Sequence, residues 1–424
     1  MFALSDTPFT NPPYSQKRLT KSNERSAAWL AQLLQPRVIS PTLSTSSGAP
    51  AVDDNETIQV NNYRPNIFLH LAGSTSLQAR RAFADSLIEI LHGKEADAVK
   101  PHRCLDDGVQ GYVFDLVPLK TALAASKAVR SQHNSNPYPT PVADGDDNHQ
   151  NRATLSDTSA LTALLQASLH SLPPTKPRVV DSPRSPHEIL RLIRDVGIDV
   201  FDARWALDVA NVGVALDFVF PAPVPEAVRT GKARNDKMDL GHNLYQKEYE
   251  FDFGSLAGSL RGALSAEADT DQLVCPCAAC SPVRPRTVDR LVHAPSDMEN
   301  DNASELETCY NPPYTRAYIH HLLHTHEMAA HAWLVMHNLA VLDAFLGGVR
   351  RVLKEDADGF AREVSTFEQV YDEGISDGRG GEGGLFAEAR RCWQEVEFAR
   401  GKGRLGREKV KGEEQLVLQS EHGL

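Results

Sequence analysis

The stretch "PRVVDSPRSPHEILRLIRDVGIDVFDARW" (177–205) decides the fold class of this chain. Two short apolar runs, 177–182 and 198–205, flank an amphipathic run, 185–197, whose apolar residues recur with the period of a helix. Pro186 falls at the first helical position, where the missing N–H of proline costs nothing. Strand, helix and strand in this order favour parallel strands joined by right-handed crossovers. The stretch therefore predicts an α/β protein.

The same alternation continues toward the N-terminus. Apolar runs predict strands at 66–73 and 109–119. The helices predicted outside the central stretch are 23–34, 76–93 and 161–172. About four parallel strands result, half of the eight that a closed (β/α)8 barrel needs. The alternatives are an open sheet and the second half of a barrel.

Composition narrows the class of protein. The net charge of −12 disfavours a protein that binds polyanions over its whole surface. The opening "MFALSDTPFTNPPYSQKR" lacks the apolar core of a signal peptide, and no run of about 18 apolar residues predicts a transmembrane segment. We therefore expect a reducing, intracellular compartment, where clustered cysteines are metal ligands or catalysts rather than disulfides.

Three of the six cysteines lie in "CPCAAC" (275–280), and the pattern C-x-C-x2-C favours zinc. Zn²⁺ takes four nitrogen or sulfur ligands in a tetrahedron, so a fourth ligand must come from elsewhere. The candidates are Cys309 and the histidines of a predicted long helix at 315–355: His320, His321, His324, His326, His331 and His337. His337 shares an apolar stripe with Ala330 and Val341 and so faces the protein body, although a core histidine without metal fits the same pattern. Spacing alone leaves the choice open.

Low-complexity segments interrupt the predicted elements, and we expect them to be disordered insertions. They lie at about 40–62, 131–159, 222–240 and 281–313. The chain then divides into three regions. These are a partial TIM barrel with the first three insertions (1–265), a zinc-binding subdomain with the fourth (266–360), and a C-terminal helical region with a tail (361–424).

A family resemblance rests on "CPCAAC", "TRAYIHHLLHTHEM" and "VMHNLAVLDAFLGGVRRVL", taken in this order. They resemble the zinc subdomain of the tRNA-guanine transglycosylases, also called queuine tRNA-ribosyltransferases. "SQKRLTKSNERSAAWL" (15–30) is similar to a helix entry of that family, and "GIDVFDARW" (197–205) to the strand that ends in its catalytic aspartate. The resemblance implies an α/β fold of the (β/α)8 TIM-barrel type, here without the N-terminal part of the barrel. It adds a zinc-binding subdomain and a long C-terminal helix.

The resemblance also implies the ligands of the metal. One Zn²⁺ per chain would be held by Cys275, Cys277, Cys280 and His337, which match the family motif residue by residue. In the family the cysteines and the "TRAY" motif lie a few residues apart, whereas about 34 residues separate them here. We interpret the difference as a surface insertion that leaves the site intact.

The catalytic pattern of the family is incomplete in this chain. Family members exchange a tRNA base through an aspartate nucleophile at the end of a barrel strand, and Asp202 holds that position. The Pro-Thr-Arg segment that follows the nucleophile is replaced by "ARWALDVANVGVALDF" (203–218). The base-pocket motif Gly-Gly-Leu-Ala-Val-Gly is replaced by "GVQGYVFDLVPL" (108–119). We therefore predict no catalytic residue and interpret Asp202 as a strand-end carboxylate that caps a turn.

Because its catalytic pattern is incomplete, the chain resembles the non-catalytic accessory subunit of the eukaryotic heterodimer more than it resembles the catalytic members of the family. That similarity implies a subunit that supports exchange of guanine for queuine at the wobble position of tRNA. Its partner would be the catalytic subunit, bound through the zinc subdomain and the 315–355 helix, with Leu323 and Leu339 on an outer apolar face, and tRNA would be bound through the complex. A cytoplasmic location follows, and the resemblance allows peripheral association with the mitochondrial outer membrane. The alternatives are an active transglycosylase that uses Asp202 and a zinc-stabilised interaction protein without a tRNA role.

Overall fold

The computed structural model describes residues 1–7, 14–35, 66–133, 149–223, 237–264, 272–283, 310–374 and 384–401. The chain forms two compact units, Met1–Pro183 with Glu188–Asp202 and Arg184–His187 with Ala203–Leu424. The unit boundary near Asp202 differs from the sequence-based boundary at 265, because the helix and strand that follow Asp202 pack on the helix that carries His337. The division into 1–265, 266–360 and 361–424 stays a prediction.

The first unit contains a parallel sheet of five strands in sequential order. The strands are β1 (Phe2–Ala3), β2 (Ile67–His70), β3 (Val109–Asp115), β4 (Arg178–Asp181) and β5 (Val200–Phe201). Neighbours pair as Phe2 with Phe68, Val113 with Val179, and Val180 with Phe201. The predicted α/β class with a parallel sheet is confirmed, and the expected count of about four strands rises to five.

Six helices connect or flank these strands in the described part of the chain. They are α1 (Gln16–Leu34), α2 (Leu77–Ile88), α3 (Gly93–Ala98), α4 (Leu116–His133), α5 (His149–Leu169) and α6 (Pro186–Val196). Ser15 and Ser76 cap the first turns of α1 and α2, accepting from the amides of Arg18 and Ala79. Such caps fix where a helix begins.

Several predicted segments of the first unit differ from the structure. The helix expected at 76–93 ends at Ile88, and α3 begins separately at Gly93. The strand expected at 198–205 covers only Val200–Phe201. The strand expected at 109–119 ends at Asp115, and α4 begins at the next residue. The insertion expected at 131–159 is helical at both ends, in α4 and α5, because its polar residues include few helix breakers there. The middle of that segment and the insertion expected at 40–62 lie outside the described residues.

The core of the first unit lies between the sheet and its helices. Leu69 and Tyr112 of the sheet are fully buried, as are Leu30, Phe83 and Leu165 of three helices. Each large apolar side chain contributes about 1.5–3 kcal/mol when it is buried. The sheet is thus held by apolar contact with helices, the arrangement expected for strands whose neighbours run parallel.

The second unit contains a two-stranded antiparallel sheet and five helices among its described residues. They are α7 (Arg204–Asn211), β6 (Val214–Leu216), β7 (Gly241–Asn243), α8 (Arg316–His324), α9 (Met328–Glu355), α10 (Phe360–Val370) and α11 (Leu385–Gly401). Ala215 of β6 pairs with His242 of β7. Residues 237–240, which the sequence placed in an insertion at 222–240, lead directly into β7, and Leu240 is buried there. Residues 222 and 223 of that insertion are also described, and residues 224–236 lie outside the described residues.

The prediction of one long helix at 315–355 is wrong, because α8 and α9 are separate. The hydroxyl of Thr325 donates to the carbonyl of His321 at 2.9 Å, and His326 has a left-handed φ of 60°. The amide of Glu327 then donates to the carbonyl of Leu322 at 2.9 Å, which closes the end of α8. Neither glycine nor proline marks this break, so the apolar periodicity runs through it.

Helix α9 continues without a break through Gly347 and Gly348. A Cβ atom on Gly348 would lie 1.9 Å from the carbonyl oxygen of Phe220, so glycine allows the close approach of these two segments. By length and composition alone α9 could cross a membrane, and 44% of its most apolar window is buried. Buried core helices pass the same test, so the support for a span is weak. The absence of a transmembrane segment stays a prediction.

Candidate functional site

The cysteine segment is held in place by its backbone. The amide of Cys275 donates to the carbonyl of Arg261 at 2.7 Å, and the amide of Cys280 points to the sulfur of Cys277 at 3.3 Å. A Cβ atom on Gly262 would lie 2.2 Å from the carbonyl oxygen of Cys280, so only glycine fits beside the turn. All three cysteines are buried. The turn therefore brings the three sulfur atoms close together in the interior of the protein.

His337 of α9 completes the cluster. Its side chain is fully buried, and its Nδ1 atom lies 3.8 Å from Cys275 Sγ, 3.9 Å from Cys277 Sγ and 3.3 Å from Cys280 Sγ. A tetrahedral ion with Zn–S bonds of about 2.3 Å and Zn–N bonds of about 2.0 Å separates sulfur from nitrogen by roughly 3.6 Å. The four ligand atoms lie within 4.8 Å of one another. The group can hold a metal ion, and the donor set is compatible with zinc.

The other candidate histidines have different partners. His320, His324 and His331 each place a ring nitrogen on a backbone carbonyl, at 2.8, 3.2 and 3.3 Å. His326 lies 3.6 Å from the carboxylate of Glu397. None of these, nor His321, belongs to the cysteine cluster, and Cys309 lies outside the described residues.

The residue pair His337–Asn338 links the cluster to strand β6. His337 Nε2 donates to the carbonyl of Leu216 at 2.9 Å, while Asn338 Oδ1 accepts from the amide of Leu216 at 2.9 Å. Asn338 Nδ2 also donates to the carbonyl of Val214 at 3.0 Å. Because the carbonyl takes the Nε2 proton, the Nδ1 lone pair is left for the sulfur cluster. The consecutive residues His337 and Asn338 thus attach α9 to β6 and orient the imidazole toward the cysteines.

The protonation of the cluster favours a cation. Hydrogen bonds from Cys275 and Cys280 lower the pKa of the Cys277 thiol, and the same crowding raises the pKa of the Cys280 thiol. Burial by itself would lower the pKa of His337, but its contacts with Cys275 and Cys277 raise it to about 9. A divalent ion would displace the protons of this cluster and let all three thiolates form.

Asp217, directly after β6, is hydrogen-bonded to Gly258 and Ser259, in the segment that precedes the cysteines. Its carboxylate accepts hydrogen bonds from the amides of Gly258 and Ser259 at 2.7 and 2.9 Å and from His242 Nε2 at 2.9 Å. Burial by itself would raise the pKa of Asp217, but the hydrogen bonds from His242 and Ser259 outweigh it and hold the pKa well below the usual range. The ionised carboxylate is therefore part of the folded structure.

We expect Asp217→Asn to reduce the free energy of unfolding at pH 7 by on the order of 2 kcal/mol, because charged hydrogen bonds are lost. A depressed carboxyl pKa stabilises the fold above the unfolded-state pKa, near 3.8, and that stability is lost as the pH falls through the folded-state value. The difference between wild type and variant should therefore shrink below about pH 4. Denaturant unfolding from pH 7 to pH 3 measures it. The control Asp208→Asn, an exposed partner of Arg204, should change stability by less than about 0.5 kcal/mol; equal losses in both variants would contradict the assignment.

The ends of the segment between the cysteines and α8 meet each other. Val283 and Tyr310 form an antiparallel bridge, and the amide of Asn311 donates to the carbonyl of Pro282 at 2.7 Å. The amide of Tyr314 then donates to the carbonyl of Ala279 at 2.9 Å, inside the cysteine turn. Residues 284–309 of the insertion predicted at 281–313 lie outside the described residues.

Asp202 lies in the first unit, at the carboxyl end of β5. Its Oδ2 atom accepts a hydrogen bond of 2.9 Å from the amide of Ser182, in the turn that follows β4. A bond of this kind is what we expected of a carboxylate that caps a neighbouring turn. The ends of the adjacent strands carry His70, Asp115 and Asp181, so four titratable side chains follow consecutive strands along one edge of the sheet.

These edge residues influence one another. Burial, followed by the charge of Asp202, raises the pKa of Asp181. Burial lowers the pKa of His70, although Asp181 and Asp115 act in the opposite direction. Of these four residues, only Asp202 was predicted from the sequence. The other three residues could have been found, because the carboxyl ends of parallel strands meet at one edge of a sheet.

Several known proteins similar to this chain share one name. "Queuine tRNA-ribosyltransferase accessory subunit 2" from Schizosaccharomyces pombe is 26% identical over 187 residues, which are 44% of this chain and 30% of that relative. The protein of that name from Gallus gallus is 26% identical over 213 residues, 50% of this chain and 43% of the relative. The human one is 27% identical over 214 residues, 46% of this chain and 40% of the relative. The matched part of the chain thus spans less than half the length of these relatives.

The family model for queuine tRNA-ribosyltransferase matches residues 153–372. The match includes a little over half of the 424 residues, and both the cysteine cluster and Asp202 lie inside it. The four residues that the resemblance named as metal ligands are the same four that the fold brings together. On this basis the chain belongs to the queuine tRNA-ribosyltransferase family.

Proposed function

We propose that this chain is a non-catalytic accessory subunit that supports the exchange of guanine for queuine in tRNA. The observation that carries the proposal is the hydrogen bond between the carboxylate of Asp202 and the amide of Ser182. Asp202 holds the sequence position of the nucleophile in the family, and here one of its oxygens stabilises a turn instead. The loss of the Pro-Thr-Arg segment after Asp202 supports the same conclusion. So do the names of the similar proteins.

The proposal includes one Zn²⁺ per chain, held by Cys275, Cys277, Cys280 and His337. Four protein ligands fill a tetrahedron and leave no position for water or substrate, so the ion would be structural. It would join the cysteine turn to α9 and, through His337, to the carbonyl of Leu216. Its chemistry is to hold three thiolates in a buried place, which is worth folding free energy.

The proposal also includes a fold of the (β/α)8 TIM-barrel type, of which the five strands of the first unit would form a part. Five parallel strands in sequential order support it, since sheets of the doubly wound type reverse their strand order at a switch point. The cytoplasmic location expected from the sequence belongs to the proposal as well.

The partner in this proposal is a catalytic queuine tRNA-ribosyltransferase subunit, and tRNA is bound through the complex. Apolar side chains exposed on α9 support a protein contact there: Met328, Met336 and Leu339. Leu323, which the sequence analysis placed on the outer face, is only 2% exposed, so that expectation was wrong. Leu323 lies on the buried face of α8 together with Ala317 and Ile319.

We expect the chain alone to show no base exchange, and Asp202→Ala to leave the activity of the reconstituted complex within about twofold of wild type. The measurement follows labelled guanine into tRNA, with the chain alone, with a catalytic subunit alone, and with both together. Co-purification with the catalytic subunit and a gain of activity in the mixture would support the accessory role.

The competing functions predict different results in the same assay. A loss of a hundredfold or more in Asp202→Ala would identify Asp202 as a nucleophile and favour an active transglycosylase. No binding and no gain of activity would favour an interaction protein without a tRNA role. A Cys104→Ser variant, which also changes a residue of the first unit, serves as the control for effects of preparing a variant protein.

A further inference from the structure

A pair of histidines on α8 lies outside the cysteine cluster and has no role in the proposed function. His320 and His324 are one helical turn apart, and their ring centroids are separated by 4.4 Å. Residues at positions i and i+4 point to the same side of a helix. Two imidazoles bound in cis to one metal ion, with bonds of about 2.0–2.1 Å, have centroids roughly 4.5–5.2 Å apart. The observed spacing is close to that geometry.

The tautomers of both rings are fixed by the backbone. His320 Nδ1 lies 2.8 Å from the carbonyl oxygen of Leu244, and His324 Nε2 lies 3.2 Å from that of Tyr245. A carbonyl can only accept, so these two nitrogens carry the protons. The lone pairs then lie on Nε2 of His320 and Nδ1 of His324. Metal-binding histidines usually donate their other N–H group in this way.

The carbonyls that orient the two rings are themselves held in place. The amide of Leu244 donates to the carbonyl of Gly213 at 3.0 Å, and the amide of Tyr245 donates to Asn243 Oδ1 at 3.3 Å. The ring of Tyr245 also packs edge-on against His324, with centroids 5.7 Å apart. The two imidazoles are thus oriented before any ligand binds, which lowers the entropic cost of binding.

The surroundings of the pair favour a cation. The carboxylate of Glu250 acts electrostatically on His320, and its side chain is exposed. His324 is likewise exposed, so an ion can reach the pair from solvent. Imidazole nitrogen with carboxylate or water suits borderline divalent ions such as Ni²⁺, Cu²⁺ and Zn²⁺ rather than Mg²⁺ or Ca²⁺.

We propose that His320 and His324 form a second, exchangeable site for a divalent transition-metal ion, with its remaining positions open to water or to a carboxylate. The site differs in kind from the cysteine cluster. It offers two nitrogens at the surface instead of four buried ligands, so it binds more weakly and releases its ion without unfolding the chain.

The test titrates Ni²⁺ into the full chain, already loaded with one Zn²⁺, by isothermal calorimetry at pH 7.5. We expect one Ni²⁺ per chain beyond the zinc. His320→Ala and His324→Ala should each weaken its binding at least tenfold, because one of two protein ligands is removed. His321→Ala is the matched control, since it removes a neighbouring histidine of the same helix, and it should leave the affinity unchanged. Zinc content and far-UV circular dichroism of each variant show whether the fold is kept.

A second measurement uses the wild-type chain alone. Diethylpyrocarbonate modifies accessible imidazoles, and mass spectrometry locates the modified residues. Ni²⁺ should protect His320 and His324 while His321 stays reactive. The proposal is overturned if no Ni²⁺ binds below 1 mM, on the order of the weakest specific affinities. It is also overturned if His321→Ala weakens binding as much as the other variants, or if Ni²⁺ protects other histidines instead.

Discussion

Replacing Cys277 with serine is expected to remove the metal from the second unit and to unfold the structure around it. A serine oxygen is a poor substitute for a thiolate, so the ion loses one of its four ligands. The other three, Cys275, Cys280 and His337, are then left in a buried place where an unpaired charge is costly. Structural zinc contributes on the order of 10 kcal/mol in small domains, which exceeds the stability of many whole proteins.

The loss should be seen in two measurements on the same protein. Metal analysis should give one zinc ion per chain for wild type and close to none for Cys277→Ser. Hydrogen exchange should show protection falling in α9 and in β6, while the first unit keeps its protection because it has its own core. Cys104→Ser is the matched control, a thiol of the first unit that is half-buried and outside the cluster. Full zinc in Cys277→Ser would show that the ligand set is wrong.

Replacing Asn338 with alanine is expected to cost about 3 kcal/mol or more, although Asn338 is not itself a metal ligand. Its side chain is fully buried and makes three hydrogen bonds to backbone, with the amide of Leu216 and the carbonyls of Val214 and Ala206, at 2.9, 3.0 and 3.3 Å. Alanine takes this partner from the amide of Leu216 and the carbonyl of Val214 in a buried place. Each unsatisfied buried group costs about 1–3 kcal/mol.

The same substitution should weaken metal binding, because β6 carries the carbonyl that orients His337. We expect zinc affinity to fall by about tenfold to a hundredfold, measured by competition with a chelator. Asn211→Ala, at the exposed end of α7, is the control and should change stability by less than about 0.5 kcal/mol. Normal stability with normal zinc affinity in Asn338→Ala would contradict the role given to this residue.

The candidate metal site was predictable from the sequence only in part. Three cysteines within six residues must lie close together in any fold, so their pattern predicted the cluster directly. The fourth member of the cluster comes from a helix some 60 positions away, and spacing alone left six histidines and Cys309 open. The apolar stripe favoured His337, and the family resemblance selected it. The role of the next residue, Asn338, was not predictable, because it depends on the contact between α9 and β6.

The parallel sheet was predictable because strands and helices alternate with clear periodicity. Strand β1 was missed, since two residues cannot show a period. The break at Thr325–Glu327 was missed for a different reason. Apolar periodicity reports which side chains are buried, and both α8 and α9 bury one face, so nothing in the pattern changes where the backbone turns. A side-chain hydrogen bond from Thr325 is a local competitor of the helix that composition does not reveal.

The bridge between Val283 and Tyr310 keeps these two residues adjacent in space although 26 residues lie between them in the sequence. Once the two ends of a segment are fastened to each other, the entropy of closing the loop rises only with the logarithm of its length, by about 0.6 kcal/mol for each doubling. Residues can therefore be added between the cysteines and the "TRAY" motif at little cost to the fold of the ligands. A search for relatives by fixed motif spacing would pass over such chains, whereas a search by motif order would find them.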